Sequence, residues 1–300
     1  MKQVDCVIIG GGIAGLQAAI QLGRYKHDVL VIDSNQGRST ICRCYHNILG
    51  WPDGVSGQEI RKLGKLHAEK YGVHFLRDVV TTLKKESNHF YLETEQHATF
   101  EAKTIFLATG LVDHLPKLEN LVTCLGADIY VCPDCDGYEV SGKKTVVLGA
   151  GNTGADMAVT LAYWSNDIIY INHNQSAVDV TKLDELEKHR IKIVYEQIEK
   201  IILDEKQHFA GVLLKNGEVV EAERGFIGFG GNKINYELAE AVGVELTENK
   251  HVLVNPRTKE TNIKGVWAGG DLAAHSEQVT IAMGDGSQAA IWIHKRLLEQ

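Results

Sequence analysis

The chain has 300 residues, 44% of them hydrophobic and 23% charged, with a formal net charge of −8. That length and apolar content suit two globular domains with sizeable cores, and the acidic surplus argues against nucleic acid, which needs clustered Lys and Arg. No segment approaches the roughly 20 consecutive apolar residues of a membrane span, and the start, MKQVDCVIIGGG, lacks the apolar core and cleavage site of a secretory signal.

In chain order, residues 4–33 come first. A β-branched run, Val4–Ile9, is predicted as a strand; it ends in Gly10, Gly11, Gly12, Ile13, Ala14 and Gly15, and a helical stretch rich in Ala follows. A second strand, Val29–Ile32, closes on Asp33. This is the dinucleotide-binding pattern: Gly10 for the tight turn, Gly12 for close approach to a pyrophosphate, Gly15 for helix–strand packing, and Asp33 for a ribose hydroxyl. The helix start offers N–H groups to phosphate. The loop after Asp33 carries Cys42, Cys44, His46 and Trp51. Its two thiols read as an auxiliary redox couple or as small apolar fillers. His46 and Trp51, with His275 further on, read as liners of a ligand pocket or as packing and surface residues. Further along, TIFLATG (Thr104–Gly110) is a strand running into Thr109 and Gly110.

The stretch YVCPDCDGYEV places Cys132 and Cys135 two residues apart, followed by Asp136 and Gly137. Such a pair can be half of a zinc knuckle, a structural disulfide or a redox couple. Four-thiolate zinc needs a second pair, and Cys42, Cys44, Cys124 and Cys6 offer none in that spacing. Six cysteines are also too sparse for a secreted disulfide framework, so a soluble cytoplasmic enzyme is expected. The glycine pattern then recurs. Gly149, Gly151 and Gly154, with Asn152 and Thr153 between them, follow a predicted strand and precede a helix and another strand. That strand runs out in Asn172, His173, Asn174 and Gln175, so the ribose acid is missing. The second unit is either a nicotinamide site, with Gly149, Gly151, Asn152, Thr153, Gly154 and His173 as candidates, or a vestigial one. Last come NIKGVWAGGDLA, a strand followed by Gly269, Gly270 and Asp271, and then Glu277, Gln278 and Val279 before the final helix.

With these parts assembled, the chain resembles the low-molecular-weight thioredoxin reductase family over nearly its whole length. The family's C-x-x-C-D-G lies just ahead of the second glycine turn, as Cys132–Gly137 does here. The resemblance implies an α/β fold of two Rossmann-like, three-layer domains. An FAD domain would span residues 1–113 and 244–300, with a smaller NAD(P)-type domain, residues 114–243, inserted in it. It implies FAD held by Gly10, Gly12, Ile13, Ala14, Gly15, Asp33, Thr109, Gly110, Gly270, Asp271, Gln278 and Val279. NADPH or NADH would supply electrons at the second turn. Cys135 would be the sulfur facing the flavin, Cys132 the one exchanging with a partner disulfide, and Asp136 the proton donor and acceptor. The family's smaller domain rotates on two linkers, here residues 111–116 and 229–236, and its members are homodimers. The implied activity is electron transfer from a nicotinamide through FAD and Cys132–Cys135 to a thioredoxin-like protein or a small-molecule disulfide.

Three features depart from that pattern. The family's His-Arg-Arg and further Arg, which pair with the 2′-phosphate of NADPH, have only His173 here, and Asn174 and Gln175 replace the arginines. The family's Arg-Gln-Ala before the last helix is Glu277-Gln278-Val279. The third is the pair Cys42 and Cys44. A neighbouring family of dithiol oxidases, which form a disulfide in a small molecule and pass electrons to oxygen, shares the fold and the position of the CxxC. Its CxxC runs into His-Gly. Asp136 therefore favours the reductase, and the missing arginines favour the oxidase. A redox-inert FAD module, or a reductase fed by an iron–sulfur or flavin protein, completes the set.

Overall fold

The strand expected at Val4–Ile9 extends over Lys2–Ile9 in the computed structural model, which describes residues 2–299. Its side chains alternate as a strand buried on both faces must. From Cys6 onward the alternation is regular: Val7 and Ile9 join one apolar core and Cys6 and Ile8 another on the opposite face, while Val4, nearer the strand's start, packs into the first of these cores. Each fully buried aliphatic side chain of this kind contributes about 1.5–3 kcal/mol.

The chain divides into two units. The first comprises residues up to Ile41, Ser56–Val112 and the chain from Lys233 onward. Its seven-stranded sheet runs His74–Leu76, Val29–Ile32, Lys2–Ile9, Thr99–Leu107, His89–Thr94, Val80–Glu86, and Val266–Ala268 pairs with the far half of Thr99–Leu107. Pairing is parallel among the first four strands and with Val266–Ala268, and antiparallel in the hairpin. On one face, beside the helix Gly57–Glu69, lie the two helices Ile13–Arg24 and Val279–Leu298. They pack closely because Gly286 meets the Ala14 carbonyl, where a Cβ would overlap it. Gly270 lies against both helices, since a Cβ there would stand 3.1 Å from Ala14 Cβ and 3.8 Å from Ala282 Cβ. The starts of both helices thereby converge on one spot.

The second unit, Cys42–Val55 and Asp113–Asn232, has a five-stranded parallel sheet. The order is Lys192–Val194, Ile168–Asn172, Thr145–Gly149, Arg224–Gly228, Ile129–Tyr130. The helices Gly151–Leu161 and Val180–Lys188 cover one face, and a three-stranded antiparallel sheet, Ile198–Leu203, Phe209–Leu214 and Val219–Glu221, covers the other. Both units are therefore mixed α/β with parallel sheets, as the two glycine turns implied.

Two boundaries differ from expectation. The chain returns to the first unit at Lys233, not at residue 244. The reason is that Lys233–Ile234 pairs antiparallel with Leu111–Val112, and Ile234, Ala239 and Val244 are buried in the first unit's core. The loop of residues 42–55, expected in the FAD domain, clusters with the second unit. A bridge between Tyr45 and Val55 closes it, and His46 Nδ1 lies 3.5 Å from Glu139 Oε1.

Candidate active site

The CxxC lies on a tight turn in the second unit. Cys132 precedes a one-turn helix, Pro133–Asp136, whose proline presets the first helical φ. The Cys132 carbonyl accepts N–H bonds from Cys135 at 3.2 Å and Asp136 at 3.0 Å. This brings the two Cα atoms to 5.3 Å, and the sulfurs form a disulfide. Gly137 follows for a packing reason: a Cβ would stand 2.7 Å from the Trp164 ring. Burial pushes the Asp136 carboxyl up to about 7, with the charge of Glu139 adding to it. A carboxyl near neutrality beside a disulfide can both give and take a proton at working pH.

The remaining thiols are placed differently. Burial pushes Cys42 and Cys6 up to about 12, and Cys124 up to about 11. Cys42 Sγ donates to the Cys44 carbonyl at 3.5 Å, and burial with the charges of Glu139 and Asp136 also raises Cys44. Only a thiolate attacks a disulfide, so these thiols are poor nucleophiles at neutral pH. The filler reading of Cys42 and Cys44 is the one this geometry favours. His46 is held to Glu139 within the second unit, and Trp51, in the same unit, is 40% exposed. His275 is engaged in the first unit, its Nε2 2.6 Å from Asp285 Oδ2.

In the first unit, Gly10 has φ +105°, and a Cβ there would overlap the Ala108 carbonyl. A Cβ on Gly15 would overlap the Gly10 carbonyl. Gly12 is different. Its φ of −73° suits any residue, and a Cβ would meet nothing within 4 Å. The fold alone does not require glycine there, whereas a pyrophosphate against the backbone would; the turn therefore fits a dinucleotide. Ile13 and Ala14 open the helix behind it. Asp33 Oδ1 accepts the Gly11 N–H at 2.9 Å, and Arg61 donates to Asp33 Oδ2 at 2.7 Å and to the Gly11 carbonyl at 2.8 Å. A carboxylate has about four acceptor positions, so Asp33 keeps capacity for a ribose hydroxyl.

The other candidates gather in the same unit. Thr109 and Gly110 are tied to Asn235: Thr109 Oγ1 donates to its carbonyl at 2.7 Å, and Asn235 Nδ2 donates to the Thr109 carbonyl at 2.8 Å. Gly270 donates its N–H to Asp285 Oδ2 at 2.8 Å. Burial pushes the Asp285 carboxyl up, but hydrogen bonds from His275, Lys259 and Gly270 outweigh it and hold it below the usual range. Asp271 Oδ2 accepts from Arg38 at 3.1 Å, and the same Arg38 nitrogen lies 2.6 Å from Glu277 Oε2. Gln278 stands at the N-cap position of the final helix, without a side-chain cap bond, and Val279 begins that helix. Arg38, Arg61 and Asp285 were missed in the sequence. None stands in a motif, and a lone acidic match at Gly270-Asp271 gives no hint of its supports.

In the second unit, Gly149 faces the Gly228 carbonyl and Gly154 faces the Tyr170 ring so closely that a Cβ would clash at either. Gly151 has φ +50°. Asn152 and Thr153 lie in the first turn of its helix. His173 Nδ1 accepts the Ile198 N–H at 2.9 Å, and burial together with Lys215 lowers its pKa, so it remains a neutral acceptor. Among the described residues, no group of three or more His, Cys, Asp or Glu is placed to hold a metal ion.

The chain matches the model of the pyridine nucleotide-disulphide oxidoreductase family over residues 4–286. It is 30% identical to a 34.2 kDa protein in the rubredoxin operon of Clostridium pasteurianum, across 98% of this chain and 97% of that one. It is 28% identical to thioredoxin reductase of Aquifex aeolicus, across 99% and 94%. The solved structure of an oxidoreductase from Agrobacterium tumefaciens superposes with a TM-score of 0.82 at 28% identity, covering 100% of this chain and 99% of that one.

Proposed function

Because this chain belongs to the pyridine nucleotide-disulphide oxidoreductase family, as a thioredoxin reductase-like flavoprotein, we propose that its Cys132–Cys135 dithiol reduces the disulfide of a thioredoxin-like protein or of a small molecule. The cofactors of the family are FAD and NADPH, and a nicotinamide dinucleotide fits the second glycine turn. FAD would be held by Gly10, Gly12, Ile13, Ala14, Gly15, Asp33, Thr109, Gly110, Gly270, Asp271, Gln278 and Val279. When bound, it supplies a carrier that takes two electrons from the nicotinamide and gives them to the disulfide.

The observation that carries this reading is Asp136, held near neutrality beside a disulfide on a one-turn helix. In the exchange, the thiolate of Cys132 attacks one partner sulfur and displaces the other as a thiolate. Cys135 then attacks Cys132 in the mixed disulfide, reforming the Cys132–Cys135 bond and releasing the second partner thiol. Two electrons and two protons leave with the partner dithiol. Asp136 takes the proton from the attacking thiol and returns it to the leaving sulfur. Among the described residues, no helix is long and apolar enough to cross a membrane. We place the enzyme in the cytoplasm as a homodimer, which light scattering would check.

The test is anaerobic. NADH or NADPH is added to separate samples of the yellow protein, and the flavin absorbance is followed. Bleaching by either supports a nicotinamide-fed reductase. Bleaching only by a dithiol, with colour restored by air, transfers the reading to a dithiol oxidase.

A further inference from the structure

The second glycine turn lacks an acid at the place where dinucleotide folds put one on the ribose. That place is Asn172, whose buried amide is engaged at both ends: Oδ1 accepts the Gly151 N–H at 3.1 Å, and Nδ2 donates to the Ser176 carbonyl at 2.7 Å. The chain then turns back along the glycine turn. A Cβ on Gly151 would lie 3.4 Å from the Ala177 carbonyl oxygen and 3.5 Å from Ser176 Cβ. At the end of this return stands Asp179, at the cap position of the helix Val180–Lys188 but making no side-chain cap bond there. Its carboxylate accepts Asn152 Nδ2 at 2.7 Å instead, and its N–H donates to Asn152 Oδ1 at 2.9 Å. Asn152 belongs to the first turn of the helix that the glycines open.

We propose that Asp179 replaces the missing ribose acid, so that this site takes a nicotinamide dinucleotide with a free 2′-hydroxyl, NADH, and rejects the 2′-phosphate of NADPH. The inference rests on the nicotinamide-fed reading above and names its donor. A carboxylate accepts hydrogen bonds from a hydroxyl and repels a phosphate dianion. The neighbouring cations do not offset it. Lys182 Nζ is held by Asp156 at 2.6 Å and Glu185 at 3.1 Å, and His173 is kept neutral by accepting the Ile198 N–H. Lys215 acts on His173, where it helps to keep the ring neutral. The segment His173–Asp179 otherwise carries no positive side chain.

The experiment is calorimetric titration of the oxidised holoenzyme with ADP-ribose and with 2′-phospho-ADP-ribose, beside anaerobic flavin bleaching by NADH and NADPH. Wild type is expected to bind ADP-ribose about tenfold tighter or better, the size of effect a like charge imposes. Asp179→Asn keeps an acceptor for Asn152 and removes only the charge, so it should narrow that ratio; Asp179→Arg should invert it. Equal or tighter binding of the 2′-phosphate form by wild type overturns the proposal while leaving a nicotinamide-fed enzyme standing. So does an unchanged ratio in a folded Asp179→Asn variant. If neither nucleotide binds and neither bleaches the flavin, the nicotinamide reading itself falls, and this proposal with it.

Discussion

At the end of the strand Val29–Ile32, Asp33 accepts the N–H of Gly11 at 2.9 Å; at the end of Ile168–Asn172, Asn172 accepts the N–H of Gly151 at 3.1 Å. The two glycine turns are therefore tied down by the same kind of bond from the same place in the fold. They differ in charge. Asp33 is backed by the buried guanidinium of Arg61, while the fully buried, uncharged Asn172 donates its Nδ2 to the Ser176 carbonyl. A glycine turn needs an acceptor at that position, and either an amide or a carboxylate provides it. Where the negative charge sits is a separate matter: in the first unit it is on Asp33 itself, paired with Arg61, and in the second the carboxylate bonded to the helix start is that of Asp179. The units differ, too, in what each adds: the second carries the disulfide turn.

The sharpest break in this comparison is Cys135→Ser. Disulfide turnover should fall by about 10³-fold or more, to the uncatalysed background, because the resolving sulfur is gone. The first unit should retain its FAD, measured by flavin absorbance after gel filtration. Full turnover in this variant would refute the mechanism.

Next in size is Asn172→Asp, which asks the second unit to carry the first unit's charge without an Arg61. A buried carboxylate facing the Ser176 carbonyl should cost about 3 kcal/mol, more at neutral than at acid pH. Chemical denaturation at the two pH values reads this directly. Arg61→Ala in the first unit should cost about 2 kcal/mol by leaving Asp33 without its counter-charge.

The glycines separate fold from ligand. Gly15→Ala drives a methyl into the Gly10 carbonyl and should cost about 2 kcal/mol of stability. Gly12→Ala faces open space and should leave stability within about 0.5 kcal/mol. Its FAD dissociation constant should nevertheless rise about tenfold, because the methyl would occupy the phosphate's place. An apoprotein titrated with FAD would show it, and unchanged affinity would remove Gly12 from the site.

The smallest effects concern pH. Asp136 has its carboxyl raised in the folded state, first by burial and then by Glu139. The folded protein thus holds a proton that the unfolded chain has already lost, and stability should decline as pH rises from the ordinary carboxyl range through about 7. Disulfide exchange, which begins with the Asp136 carboxylate taking the thiol proton, should instead rise along the same limb. Asp136→Asn should flatten both profiles. Glu139→Gln removes the second cause only, and should move the midpoint acidward by less than about one unit.

The glycine turns, their strands and the CxxC were legible because each depends on local rules. A positive φ at Gly10, a Cβ clash at Gly15 and a two-residue gap between sulfurs follow from neighbours in the chain. Residues far apart in sequence were not legible. Arg61 meets Asp33, Arg38 meets Asp271 and Glu277, and Asp285 holds Gly270 and His275 only because distant segments fold onto one spot. The loop of residues 42–55 was misassigned for the same reason. Its sequence neighbours belong to the first unit, but a bridge at Tyr45–Val55 and His46 beside Glu139 settle it with the second.

The sequence by itself determined two α/β units, a nucleotide turn in each, and a thiol pair followed by an acid, because periodicity, glycine and spacing act over a few residues. Only the tertiary structure decided the electrostatics. Burial raised Asp136 to about 7 and the Cys42 thiol to about 12, and a loop returning over Gly151 brought Asp179 to Asn152. Charge acts through space and through the loss of water, so its effect depends on what the fold places nearby rather than on what is adjacent in the chain.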